Sequence, residues 1–164
     1  MAHAIPRILT TALAILLISC APLLAGDRFT DNGDGTITDH ELGLMWSQTD
    51  NQGDMTWQDA QRWARFTFPT SLPSPSDDWR LPSTEELASL YSTNRYYDGY
   101  EADCGVDVKI VRDFSLSCAW VWALEEAHVT ARLYDFRAGQ TYMDRKAKSH
   151  GYRALAVRPL APVQ

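Results

Sequence analysis

The sequence predicts a single α+β domain behind an export signal. Three observations carry that reading: strand-like stretches at both ends, two helical stretches between them, and neither an internal repeat nor a second patterned block in 164 residues.

The first element is a hairpin. In FTDNGDGTITDHE, from Phe29 to Glu41, acidic and amide residues alternate around glycine, which suits either a calcium loop or a tight turn. With Asp34 and Gly35 at the fifth and sixth positions of an EF-hand loop, Thr30 falls at the first, where aspartate is needed, and no helix leads in. Asn32-Gly33 and Asp34-Gly35 instead supply the positive φ of a hairpin turn. Arg28 to Trp46 therefore reads as two short strands around that turn, with an apolar run broken by Gly43.

DMTWQDAQRWARF reads as the first helix: Thr56 caps it, Asp59 follows three residues on, and Trp57, Ala60 and Ala64 share a face. TFPTSLPSPSDD, rich in Pro and Ser, reads as a surface loop. WRLPSTEELASLY gives the second helix. Pro82 stops what precedes it, Ser83 caps it, Glu85 and Glu86 suit the positive end of the dipole, and Leu87, Leu90 and Tyr91 form the apolar face. Ser92 to Asp113 reads mostly as loop.

The last third reads as antiparallel strands. Trp120 and Trp122 alternate, followed by Val129, Ala131 and Leu133; Gly139 marks a turn, and DRKAKSH (Asp144 to His150) is a loop. GYRALAVRPL reads as one closing strand stopped by Pro159.

Ahead of the domain, Arg7 precedes an apolar run from Ile8 to Ile18 that is too short to span a bilayer, so residues 1–25 read as a signal peptide and 27–160 as the domain. Leu17-Ile18-Ser19-Cys20 fits a lipobox, with lipidation at Cys20; Ala25 offers an alternative general cleavage site. The expected location is an outer-membrane or periplasmic lipoprotein in the first case, and the periplasm or exterior in the second. Membrane contact is expected only through the anchor.

Arg7 is the one strong base before Asp27, so 14 basic against 21 acidic residues leave the exported part at −7. That balance argues against a nucleic-acid partner. The six tryptophans read as large core side chains. Cys104 and Cys118 read as a disulfide in an exported protein, worth about 3 kcal/mol for a loop of this size in the chain-entropy model. The alternative is a reactive or metal-binding thiol pair, although their spacing matches no zinc knuckle.

In this order, the motifs resemble the Lcl C-terminal domain family. They are FTDNGDGTITDHELGLMW (with Asn32, Gly33, Asp34, Gly35 and Trp46), Trp57 with Ala60, and DWRLPSTEELASL (with Trp79, Arg80, Leu81 and Pro82). An aromatic strand at Trp120, Phe136 with Gly139, and YRALAVRP with Arg158 complete the series. The likeness runs from about Phe29 to Pro159. It implies a C-type-lectin-like fold, distantly related to formylglycine-generating sulfatase-modifying domains, in exported bacterial proteins. The family takes its name from a collagen-like adhesin that binds host glycosaminoglycans. Two departures stand out. A cysteine pair that many members carry falls here at Ala64 and Ala156, and the basic character of a glycosaminoglycan binder is missing. The resemblance also gives Arg80 a structural role, anchoring a buried carboxylate or backbone carbonyls.

For chemistry, His40, His128 and His150 stand at no metal-ligand spacing from one another, and Glu125, Glu126 and His128 read as a solvated strand end. The Glu-Pro-Asn, Gln-Pro-Asp and Trp-Asn-Asp signatures of calcium-dependent sugar binding do not occur. No catalytic residue, metal or cofactor is expected. The expected function is an exported, non-catalytic binding or surface-interaction module for a protein or glycan. Its expected face is the loop of Tyr96, Tyr97 and Tyr100, beside Asp98 and Glu101. The alternatives are a loop merely pinned by its own tyrosines and the disulfide, a structural envelope lipoprotein, and a copper/thiol enzyme using Cys104 and Cys118.

Overall fold

The computed structural model describes residues 27–160; the signal-peptide reading and Cys20 lie outside them. Among the described residues the elements run β1 (Phe29–Asp31), β2 (Thr36–Asp39), β3 (Leu44–Ser47), α1 (Trp57–Arg62), α2 (Thr84–Ser89) and β4 (Tyr100–Glu101). There follow β5 (Asp107–Val108), β6 (Trp120–Glu126), β7 (Thr130–Asp135), β8 (Gln140–Arg145), β9 (Tyr152–Arg153) and β10 (Val157–Pro159). They make an α+β domain with sheets ordered β1-β2-β3-β10 and β8-β7-β6-β9, and a small β4-β5 pair.

The second sheet carries a core on each face. Val121 and Ala123 of β6 pack with Tyr134, Phe136, Leu87 of α2 and Leu90 at its C-cap, together with Ile37 and Trp46. Trp122, Ala131 and Leu133 pack the other way, against Trp57 and Ala60 of α1, Ala64 just beyond it, and Trp79, Leu81 and Ala156. Each leucine, isoleucine or valine so buried contributes about 1.5–3 kcal/mol. Ala64 and Ala156 are both fully buried in this second core. The tryptophans fill these cores: Trp46, Trp57, Trp79 and Trp122 are buried, Trp63 and Trp120 partly so. Trp57 donates its indole N–H to the Ala123 carbonyl at 2.8 Å. Trp46 and Trp79 bury theirs without a protein partner.

Both helix starts form as their sequences dictate. Thr56 accepts from the Asp59 amide, and Ser83 and Glu86 close a full capping box. After Arg62, the first helix widens into a π-helical turn (Trp63–Thr67) and then a 3₁₀ turn (Phe68–Ser71) that buries Pro69. The loop reading held only beyond that point.

Four other differences have physical reasons. Arg28 to Trp46 makes three strands, because the buried Asp39 accepts the Glu41 and Leu42 amides and Arg28's guanidinium, fixing a second turn at His40–Gly43. The closing stretch is two strands in different sheets. β9 pairs parallel with β6, so the final strands are not all antiparallel, while β10 pairs antiparallel with β3. Between them, side chains supply the partners: the Ala154 amide bonds Asn51 and the Ala156 amide bonds Ser47. Val129 precedes β7 and is 62% exposed. Finally, the polar stretch from Ser92 to Asp113 contains β4 and β5 and buries Val108 and Ile110.

Candidate functional site

The motif residues around the first hairpin hold the turn itself. Gly33 and Gly35 take φ of 73° and 86°. The Asp31 and Asp34 carboxylates accept the amides of Gly33 and Thr36, and the Asn32 amide bonds Thr36 and Thr38. Gly139, with φ of 66°, lies so close to the Tyr91 ring that a Cβ would approach it to 2.8 Å.

Under α2, Arg80 donates bidentately to Glu86 at 2.7 and 2.8 Å and also to the Leu81 carbonyl. Burial would raise the Glu86 carboxyl, but Arg80 and the Ser83 amide outweigh it and leave it lowered. Pro82, buried, precedes this cap. Glu125 is not a solvated strand end: it accepts from the Thr84 amide and hydroxyl in the first turn of α2. Its neighbour Glu126 serves Lys146 instead. Arg158 stacks 5.5 Å above the Trp79 ring and lies 3.7 Å from Asp78.

A second polar knot had no sequence signal. Asp50, 3% exposed, accepts from the Ser117 amide at 2.7 Å, the Ser117 hydroxyl at 2.9 Å and the Gln52 amide at 2.7 Å. Gln52 takes a φ of 55°, which lets the chain turn back onto Asp50. Arg153 then donates to the Ser117 hydroxyl at 2.7 Å and to Asp54 at 2.6 Å, and Asp54 also accepts the Gly151 amide. Burial pushes the Asp50 carboxyl up, against the pull of these donors; the Arg153 bond holds Asp54 down. The participants are spread over the chain as ordinary polar residues, so no periodicity or motif marks them.

Ser117 adjoins Cys118, which is joined to Cys104 with their Cα atoms 5.3 Å apart. The disulfide reading stands, and a free-thiol pair does not. Tyr100 braces the same loop, its hydroxyl accepting from the Leu116 amide at 2.5 Å and donating to the Leu116 carbonyl at 3.1 Å. Gly99 lets the backbone close on β5, where a Cβ would meet the Val108 carbonyl at 2.1 Å. Tyr100 is thus engaged in packing. Tyr97 lies under the Arg112 guanidinium at 4.7 Å, and Tyr96 projects outward, 78% exposed, beside Arg95.

The disulfide and the outer residues of this knot, Asp54 and Gly151, line an open groove of about 810 Å³. Its apolar surface comes from Trp120, Leu133, Met143, Val106 and the two sulfurs; Asp54, Asp144, Tyr142, Tyr152 and His150 stand on its rim. Tyr152 packs edge-on against Trp122, with centroids 4.9 Å apart, and donates to Asp144 at 2.6 Å. Burial and that carboxylate both push the Tyr152 phenol upward. Tyr142 donates to the buried Asp135 at 2.6 Å, which raises its phenol as well. The Arg137 guanidinium covers Trp120 at 4.8 Å from the ring centroid. The groove therefore offers soft apolar contact flanked by hydroxyls and carboxylates held in fixed orientation.

The model of the Lcl C-terminal domain matches residues 35–158, a span that includes both knots and the groove. The chain belongs to the Lcl C-terminal domain family. No curated protein matches it. Within this Lcl C-terminal domain, the strongest motif residues (Gly35, Trp46, Trp57, Trp79 to Pro82) all serve turns, caps and cores and none lines the groove, whereas Trp120 of the aromatic strand does. No helix among the described residues is long and apolar enough to cross a membrane.

Proposed function

We propose that this Lcl C-terminal domain is an exported, non-catalytic binding module of the bacterial envelope, holding a protein or glycan ligand in the groove over Trp120. The supporting observation is the groove's construction: an apolar floor and hydrogen-bonding rim, braced by a disulfide and a buried polar knot. A preformed wall lowers the ordering cost of binding. The same reading takes export from the first 25 residues, with either lipidation at Cys20 or cleavage after Ala25. The net charge of the exported part disfavours nucleic acid.

The test compares the natively exported protein with its Met143→Glu variant on a glycan array and in pull-downs from the native envelope. Met143 is half exposed, so the variant should keep its denaturation midpoint while placing a charge in the groove. The expected result is a ligand whose affinity falls at least about tenfold in the variant, or about 1.4 kcal/mol. A ligand retained equally by both proteins would place binding elsewhere.

A further inference from the structure

A second cavity, of about 590 Å³, opens on one flank of α1. Gln58, Gln61, Arg62 and Arg65 line it at i, i+3, i+4 and i+7, so the helix presents a continuous stripe to it. Arg65 and Phe66 sit on the π-helical turn, a rare local geometry that recurs at functional sites. Trp79 and Leu81, 2% and 1% exposed, form the floor. Phe66 and Leu124 also line it while remaining 61% and 40% exposed. Together they give the cavity an apolar side next to the Trp79 floor.

The polar groups around it fall into two sets. Arg62 is held by Asp59, Arg80 by Glu86, and Asp78 accepts the Ser76 hydroxyl with Arg158 close by. Gln58, Gln61, Arg65 and Asp77 make no side-chain hydrogen bond or ion pair with the described residues; Arg65 lies 5.3 Å above the Phe66 ring. The cavity thus carries one unengaged cation, one unengaged anion and two unengaged carboxamides around an apolar floor.

We infer that this cavity is a docking site, separate from the groove, for a short extended peptide with free termini and a bulky apolar side chain. Arg65 takes the terminal carboxylate, for which a guanidinium fork is suited. Gln58 and Gln61 each offer a donor and an acceptor, the complement of a peptide backbone amide. Phe66, Leu124 and Trp79 take the apolar side chain, and Asp77 the terminal ammonium. An anionic polysaccharide fits worse, because Arg62 and Arg80 are already engaged by Asp59 and Glu86, which leaves Arg65 as the one unengaged cation beside Asp77 and Asp78.

The probe is the free tripeptide Ala-Leu-Phe, alongside its C-terminal amide and its N-acetyl form, titrated into the natively exported protein by two-dimensional amide NMR. The expected result is shifts centred on Gln58, Gln61, Phe66 and Leu124. Amidation of the peptide and Arg65→Gln should each weaken binding at least about fivefold. Combined, they should cost no more than either alone, since both remove one contact. Asp77→Asn should abolish the effect of N-acetylation in the same way. Arg65 and Asp77 are exposed, and unchanged circular dichroism checks that their variants fold. The inference is overturned if no shifts appear at saturating peptide, if they centre on the groove over Trp120, or if the amide binds as well as the acid. Concentration-dependent self-association through Phe66 would equally overturn it, by assigning the patch to a second copy of the chain.

Discussion

Under α2, Arg80 grips a carboxylate six residues along the chain, and both partners stay partly open to solvent, at 35% and 18%. Beside the disulfide, Asp50 meets Ser117 across 67 residues and Arg153 closes over them, with all three buried. The first ties the loop before α2 to the helix's own first turn, and the second ties two loops to Arg153 of β9. They differ in what water does to them. Solvent screens the first, so its ion pair is worth about 0–1 kcal/mol. In the second, removing Asp50 strands buried donors that water cannot reach, a loss of about 1–3 kcal/mol for each. The lesson is that the knot with no sequence signature is the one whose outer residues, Asp54 and Gly151, line the groove.

The largest expected effect is therefore at Asp50. Asp50→Ala should destabilise the protein by about 3 kcal/mol or more in urea denaturation, since the Ser117 amide, the Ser117 hydroxyl and the Gln52 amide all lose their acceptor. Glu86→Ala should cost about 1–2 kcal/mol, from the capping box and the screened pair together. A greater loss at Glu86 than at Asp50 would break the comparison. Opening the disulfide, through Cys104→Ala with Cys118→Ala, should cost about 3 kcal/mol. That loss should be less than additive with Asp50→Ala, because Ser117 and Cys118 are neighbours in one knot.

Acid separates the knots by sign. The Glu86 carboxyl lies below its ordinary value of 4.5, so its contribution is present above that value and fades as pH falls through the lowered one. The gap between the wild type and Glu86→Gln should narrow over that range. The Asp50 carboxyl lies above its ordinary value of 3.8, so the folded state gains protons more readily there, and the wild type should gain relative to Asp50→Asn as pH falls through the raised value. Denaturation midpoints measured from neutral pH to pH 3 check both signs. The smallest effect belongs to Tyr96, whose removal should change stability by less than about 0.5 kcal/mol.

Legibility followed the same divide between near and far. The Asn-Gly-Asp-Gly turn, both N-caps and the inward faces of the helices depend on residues a few positions apart, and all are as their local sequence dictates. The third strand was hidden because the turn at His40–Gly43 is fixed by Arg28 reaching Asp39, not by turn residues alone. The closing stretch looked like one strand because alternation says nothing about which sheet a strand joins. Buried on both sides from Arg153 to Val157, it is divided by distant partners, β6 and β3. The groove was less legible still. Trp120 read as core, Tyr142 and Met143 occupy an unremarkable edge strand, and only the sheet register and the disulfide bring them to one cavity. Tyr100 carried a binding expectation, yet its hydroxyl is engaged by Leu116, a partner 16 residues away.

The central claim, that the groove is preformed by the buried knot, is tested most directly by native-state amide hydrogen exchange at two positions. The Ser117 amide, bound to Asp50, should exchange only through global unfolding, with an opening free energy equal to that from denaturation, while the Ser83 amide, bound to Glu86, should exchange through a much easier local opening. Equal, rapid exchange at both amides would mean that the groove wall opens locally, and would contradict a preformed site.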